Sequence, residues 1–119
     1  MKTIIAGSRT INDYDLLKEV ILKSEFEIDC VISGFANGVD MLGVKYAGEK
    51  ELALMVYKAD WNRYGKKAGY IRNEEMAQVG DALIYLYDGV SKGTQHMINL
   101  AKEYELKIFG YSTLTKEYE

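Results

Sequence analysis

Short apolar runs alternate along this chain with stretches in which apolar positions recur every three or four residues. Thr3-Ile4-Ile5-Ala6 predicts a buried strand ended by Gly7. From Asp13 to Ser24 the period lengthens, and Leu17, Val20, Ile21 and Ser24 share one helical face, with Asp13 or Asn12 placed to cap it. Cys30-Val31-Ile32 predicts a second strand, and Gly38 to about Glu51 a helix with Val39, Leu42, Tyr46 and Ala47 inward. Leu52 to Tyr57 predicts a third strand, followed by a polar segment from Lys58 to Lys67. Residues 68–79 predict a helix with Ala68, Ile71, Arg72, Met76 and Val79 along one side. A strand over Ala82–Tyr87, a helix over Gly93–Tyr104 and a short strand over Lys107–Phe109 complete the pattern. Strands apolar on both faces, alternating with helices, belong in a parallel sheet covered on each side. The expected fold class is α/β, a three-layer Rossmann-like domain over residues 1–112 with a mostly parallel five-stranded sheet. Residues 113–119 are polar and are expected to fray as a tail.

Composition narrows the function classes. The chain has 119 residues, the size of one ordinary domain, and is 48% hydrophobic, too apolar for a disordered segment. Its net charge of −3 argues against a generally basic nucleic-acid binder. One cysteine, Cys30, excludes an internal disulfide, and one histidine, His96, excludes a His-rich metal site, so no metal or cofactor is expected. Cys30 sits in an apolar run and reads as a small core residue. No stretch reaches the ~18–20 apolar residues of a membrane span. The charged N-terminus does not resemble a signal peptide, which makes the cytoplasm the expected compartment. Proline is absent, so the turns fall to glycine, asparagine and aspartate.

In open α/β sheets ligands gather outside the carboxyl ends of the strands, where helix N-termini and free amides favour anions. The loop after the first strand is Gly7-Ser8-Arg9-Thr10, in which Ser8 can donate a hydrogen bond and Arg9 can pair with phosphate. It reads equally as an ordinary turn with a solvated arginine. The loop after the second strand places Ser33, Gly34, Asn37 and Gly38 around a helix start, without a Walker lysine and without the G-x-G-x-x-G fingerprint. Asp40, in that helix's first turn, either stabilises the N-terminus or accepts from ribose hydroxyls. After the third strand, residues 58–73 hold Lys58, Arg63, Lys66, Lys67 and Arg72 against Asp60 alone, a local +4 that leaves −7 for the rest. Charge focused there favours a small anionic ligand over a long nucleic-acid track. Trp61 and Tyr64 offer flat faces for a base, although Trp61 also reads as a core plug. Arg72 shares a stripe with Met76 and Val79, and an arginine there needs a partner or a cleft. The last loop carries Ser91, Gly93 and Thr94 at a helix start, a second phosphate cradle. His96, one turn further on, reads as a packing or surface histidine.

Taken together, Gly7-Ser8-Arg9, the Ser-Gly-x-Ala-x-Gly-Val-Asp of residues 33–40, the Trp-x-x-Tyr-Gly-Lys-x-Ala-Gly-x-x-Arg-Asn-x-x-Met of residues 61–76 and the Ser-Lys-Gly-Thr of residues 91–94 resemble the SLOG superfamily of Rossmann-like domains. The resemblance is to its small stand-alone YspA-like, YpsA-related branch, common in bacteria and phages, and it covers nearly the whole chain. It implies a nucleotide-derived ligand at the strand carboxyl ends. Relatives include Lonely Guy-type phosphoribohydrolases, sensor domains for ADP-ribose-type signals and the DNA-processing protein A family. Arg72 resembles the helix arginine of the hydrolases. Met97, however, stands where the Lonely Guy motif has its catalytic glutamate.

Three functions compete on these residues. The first is a sensor or sequestering module for a nucleoside phosphate or ADP-ribose-like molecule. In it, phosphates lie on the amides after strands one, two and four, with Arg9, Lys66 and Arg72 as counter-charges. Asp40 or Asn73 would bond sugar hydroxyls, and Trp61 or Tyr64 would stack on the base. The second is a phosphoribohydrolase cleaving the N-glycosidic bond of a nucleoside monophosphate, for which Asp40, Glu74 or Glu75 would have to supply the carboxylate. The third is single-stranded nucleic-acid binding, which the acidic balance disfavours. Ten tyrosines exceed what one core needs, and some suit the self-association surface of a homodimer or higher homo-oligomer.

Overall fold

Six strands and five helices account for the chain in the computed structural model, which describes all 119 residues. In order they are β1 (Lys2–Gly7), α1 (Tyr14–Ser24), β2 (Cys30–Ser33), α2 (Val39–Glu49), β3 (Ala53–Val56), α3 (Trp61–Tyr64), α4 (Ala68–Val79), β4 (Ala82–Tyr87), α5 (Lys92–Glu103), β5 (Lys107–Ser112) and β6 (Glu117–Tyr118). A single 3₁₀ turn, Gly65–Lys67, joins α3 to α4. The sheet runs β3-β2-β1-β4-β5-β6, with the first five strands parallel and β6 antiparallel to β5.

Alternation within the strands builds two cores. Ile5, Val31 and Ile84 face α1 and α2, meeting Leu17, Val20, Val39 and Ala47. Their neighbours Ile4, Ile32 and Leu83 face α4 and α5, meeting Met76, Ala77, Met97 and Ala101. Each fully buried Ile, Leu or Met contributes roughly 1.5–3 kcal/mol, so the helices are held mainly by these two apolar layers. Asp13 caps α1, its Oδ1 accepting the Leu16 N–H at 3.0 Å. Cys30 is a buried free thiol, and burial pushes its pKa up. No helix is long and apolar enough to cross a membrane.

The sheet has six strands, where the sequence pattern predicts five. The expected fraying tail instead returns as β6, pairing Tyr118 with Tyr111 and Glu117 with Ser112. The Tyr118 ring stacks on Phe109 at 5.7 Å between centroids, and the Tyr85 hydroxyl donates to Glu119 at 2.5 Å. Burying aromatic faces and a buried phenol's donor outweighs the polarity of the segment around them. β5 runs on to Ser112 because the Tyr85 ring lies where a side chain on residue 110 would be, and Gly110 leaves that space. The polar segment after β3 contains the short α3, capped by Asp60, whose Oδ1 accepts the Arg63 N–H at 3.1 Å. In α4 the buried positions are Ala68, Asn73, Met76 and Ala77; Ile71, Arg72 and Val79 are only half-buried.

Candidate functional site

Strand order reverses between β1 and β4. The chain leaving β1 enters α1 on one face of the sheet, and the chain leaving β4 enters α5 on the other. The two loops diverge and leave a crevice at the carboxyl edge. Ser8 pins its base: its N–H donates to the Leu86 carbonyl at 3.1 Å, and its Oγ accepts the Asp88 N–H at 3.0 Å. Its own carbonyl accepts the N–H groups of Ile11 and Val39, at 3.3 and 3.4 Å. Ser8 is fully buried and fixes the frame rather than facing a ligand. Gly38 lies against the same turn with φ of +80°, and a Cβ on it would stand 2.6 Å from the Arg9 backbone, so only glycine fits.

Above this base is a cavity of about 400 Å³. Gly7, Arg9, Asp40, Trp61, Lys66 and Arg72 line it, joined from the opposite side by Asn73, Ser91, Gly93 and Thr94. A smaller lobe of about 310 Å³ adjoins it, sharing Arg9, Ala36, Trp61 and Arg72 and adding Gly34 and Asn37. Four expected site residues lie elsewhere. Ser8, Ser33 and Gly38 are buried in the supporting frame, and Tyr64 is exposed beside Arg63, 5.0 Å from its ring centroid. Glu75 lies on the exposed side of α4, outside both lobes.

Arg72 is half-buried and spans the cleft from α4 to the loop after β2. Its Nη1 donates to the Gly34 carbonyl at 2.8 Å and its Nε to Asn73 Oδ1 at 3.0 Å. A Cβ on Gly34 would lie 2.5 Å from that Nη1, so the glycine makes the crossing possible. Because an arginine nitrogen only donates, Asn73 must present its oxygen to Arg72 and its NH₂ to the other side. There Nδ2 donates to the Gly93 carbonyl at 3.3 Å and meets His96 Nδ1 at 3.1 Å. His96 Nδ1 is therefore an acceptor, and the ring is neutral with its proton on Nε2. Burial lowers the His96 pKa further, against the raising influence of Glu74 and Glu103. Tyr70 packs edge-on against the ring at 4.5 Å between centroids.

Asp40 lies at the floor and is 5% exposed. Its Oδ2 accepts the Ala36 N–H at 3.2 Å, and its backbone carbonyl accepts from Ser33 Oγ at 3.0 Å. Burial pushes its pKa up to about 6, and the Ala36 amide, Arg72, the Gly7 amide and Arg9 offset only part of that. Burial likewise lowers the Arg72 pKa from the usual arginine value, Asp40 opposing and Arg9 reinforcing it. Asp40 and Arg72 flank Gly34 without forming an ion pair; the ion pairs present are on the surface. A buried acid with no ion-pair partner beside a desolvated arginine is a common signature of a working site.

The two phosphate cradles foreseen in the sequence differ. At the start of α2 the amides of Ala36 and Val39 are taken up by Asp40 and by Ser8, so the chain fills that N-terminus itself. At α5 the cap is Ser91, whose Oγ accepts the Thr94 N–H at 3.3 Å and shares a hydrogen bond with Thr94 Oγ1 at 2.9 Å. A Cβ on Gly93 would meet nothing within 4 Å, so this helix end stays open to the cleft. Asp88 shapes the turn by accepting the N–H groups of Val90 and Ser91, each at 2.9 Å. Burial works to raise its pKa, but these amides hold the carboxyl below the ordinary value.

Several lining residues are not among those the sequence marks as ligand-binding. Tyr70 and Met97 stand on the wall and floor of the large lobe, and Phe35 and Lys58 on the small one. Tyr70 carried a signal, since it lies one turn after Lys66 in the basic segment. Phe35 carried none, because its placement depends on a positive φ of 60°.

Comparison with known proteins agrees with this geometry at the level of fold and family. A family model described as the YspA, cpYpsA-related SLOG family matches residues 1–64, from β1 through α3. The chain is 30% identical over 120 residues to the Gene 61 protein of Mycobacterium phage D29, covering 92% of this chain and 95% of that protein. The DNA processing protein A from Streptococcus pneumoniae superposes with a TM-score of 0.75 at 18% identity, over 92% of this chain. The matched part is 50% of that longer chain, and the likeness is one of fold.

Proposed function

The chain belongs to the YspA, cpYpsA-related SLOG family, and on that footing we propose that its cleft binds a nucleotide-derived small molecule, as a sensor or sequestering module. The observation that carries this reading is Arg72. It is brought into the cleft by two hydrogen bonds that use its Nε and Nη1, and nothing in the chain neutralises its charge within 4 Å. Guanidinium donors beside Arg9 and an open helix N-terminus suit a phosphate. Asp40 and Asn73 suit sugar hydroxyls, and Trp61, half exposed with its ring against Gly69, suits a base, with Tyr70 lining the same cavity as a second aromatic surface.

Titration calorimetry with the common ribonucleotides and ADP-ribose tests the proposal. At least one is expected to bind the wild type, and Arg72→Ala is expected to weaken it by about 10- to 100-fold, the worth of a charged hydrogen bond at roughly 1.5–3 kcal/mol. Unchanged affinity in that variant would remove the anion site.

Asp40 favours one further reading. A carboxyl of pKa about 6 in a nucleotide cleft is suited to general acid–base work, as N-glycosidic hydrolysis requires. Release of free base from a nucleoside monophosphate, abolished by Asp40→Asn, would establish that activity. Stable nucleotide in a prolonged incubation would leave the cleft a binding site.

A further inference from the structure

The two lobes of the cleft differ in charge. The larger has Arg9, Lys66 and Arg72 against Asp40 and Asp88. The smaller has Arg9, Lys58 and Arg72 and no acidic residue at all. Arg9 and Arg72 stand where the lobes join, since both line each one. Lys58 belongs to the smaller lobe alone and leaves β3 directly into it, its ammonium 5.0 Å from the centroid of the Phe35 ring.

The loop that forms this lobe is held in a costly conformation. Phe35 has φ of 60°, a left-handed backbone that bulky residues rarely adopt, and its ring is left exposed. Four bonds keep it so: Arg72 to the Gly34 carbonyl, Ser33 Oγ from the Phe35 N–H at 3.1 Å, Asp40 from the Ala36 N–H, and Ser33 Oγ to the Asp40 carbonyl. Strain maintained by a buried network is a feature of ligand sites. Asp40, behind Gly34, offsets part of the charge of the two shared arginines, but no carboxylate lies within 4 Å of Lys58, the cation that the smaller lobe adds to them, and three cations around one lobe favour the entry of an anion.

We propose that the smaller lobe is a separate anion subsite, and that the ligand of this cleft is a nucleotide with at least two phosphates, one of them reaching past Arg9 and Arg72 to Lys58. The inference rests on the reading of the cleft as a nucleotide site and adds the class of nucleotide. A monophosphate fills the junction and leaves Lys58 without a counter-ion. A second phosphate supplies it, and the nucleoside stays in the larger lobe, where Trp61, Tyr70 and Met97 offer apolar surface.

The test compares each of the four ribonucleoside monophosphates with its diphosphate by calorimetry on the full chain, in the wild type, Lys58→Gln and Lys58→Arg. Lys58 is exposed, so neither substitution disturbs the core. The readout is the gain in affinity from the second phosphate. About tenfold or more is expected in the wild type, the effect of one charge-assisted hydrogen bond. Lys58→Gln is expected to reduce that gain to about twofold or less, and Lys58→Arg to keep it. Equal affinity for mono- and diphosphates in the wild type, or a gain that Lys58→Gln leaves intact, would overturn the subsite while the nucleotide site stands. If no nucleotide of either kind binds the wild type, the parent reading fails and the subsite with it.

Discussion

Asp40 is the residue on which stability and function pull apart. Its folded pKa of about 6 lies above the ordinary 3.8, because burial outweighs the amides and arginines around it. The folded state therefore holds the Asp40 proton more tightly than the unfolded chain does. The stability linked to that proton is fully present below about pH 4 and is lost as pH rises through 6. At pH 7 the ionised carboxylate costs about 3 kcal/mol, taking 1.36 kcal/mol per pKa unit. Asp40→Asn keeps an oxygen for the Ala36 N–H and removes the charge. Thermal melts are expected to show it more stable than wild type at pH 7, with the advantage vanishing near pH 4, while nucleotide affinity falls. A variant that is less stable at pH 7 would contradict the account.

His96 works in the opposite direction. Its folded pKa lies below the ordinary value, so its contribution is present above about pH 6.5 and is lost as pH falls. Protonation places an N–H on Nδ1, facing the NH₂ of Asn73, and two donors cannot bond. Asn73 then loses its orientation and Arg72 Nε its acceptor. Glu74, Glu103 and Tyr70 are the other groups around the ring, and the two acids favour the proton. In an Asp40→Asn background, affinity for ADP-ribose, whose phosphates do not titrate in this range, is expected to weaken between pH 7 and pH 5.5, and His96→Phe is expected to remove most of that dependence. A slope that survives His96→Phe would show that Asn73 is held by other means. From the sequence His96 reads as a packing histidine, because nothing in spacing reveals that the neighbouring Arg72 fixes the asparagine that fixes the ring.

At the scale of elements, the strands and α4 were readable because their apolar patterns are dictated by two buried faces. Residues 68–79 and 82–87 are helix and strand as the pattern predicts. The loops were readable only in part. Gly93 and Thr94 announce an open helix start, and they provide one. Ser8, Ser33 and Gly38 look the same in sequence but are consumed by the frame, since whether a hydroxyl meets backbone or ligand depends on how three loops stack. The loop from Gly34 to Asn37 shows the difference best. Its shape comes from Arg72, 38 residues away in sequence. Gly34→Ala forces the tip of a flexible arginine and the buried Asp40 carboxylate, 2.8 Å from the added Cβ, to move, while the apolar packing of β2 and α2 is untouched. It is expected to retain the fold, with a loss of roughly 1–3 kcal/mol in stability, yet to weaken nucleotide binding at least as much as Lys58→Gln does. Equal affinity to wild type by calorimetry would mean that Arg72 need not cross the cleft.

At the scale of the whole molecule, an acidic chain concentrates its positive charge at one edge of the sheet, between loops that leave in opposite directions. Topology makes the crevice and the local +4 segment sets its sign. The far edge is closed by β6, which composition marks as a loose tail. Tyr118 was the one clue, an aromatic within a polar run that covers Phe109 and Tyr111. Removing residues 113–119 is expected to lower stability by about 1–3 kcal/mol, from lost aromatic packing and the Tyr85 hydroxyl's lost acceptor, and to loosen the turn into α5, where Leu114 lies against Gly89 and the Thr113 N–H donates to the Tyr87 carbonyl at 2.8 Å. A truncated chain that melts as the wild type does would contradict the role given to β6.

Loops from four strands converge on one cleft, and a phosphorylated nucleotide is expected to bind in it. Backbone amide chemical shifts recorded during titration with ribonucleotides decide whether it does. Residues 34–38, 69–73 and 91–94 are expected to shift together and saturate at one ligand concentration, while β5 and β6 stay still. Shifts confined to other surfaces, or none with any nucleotide, would contradict binding there.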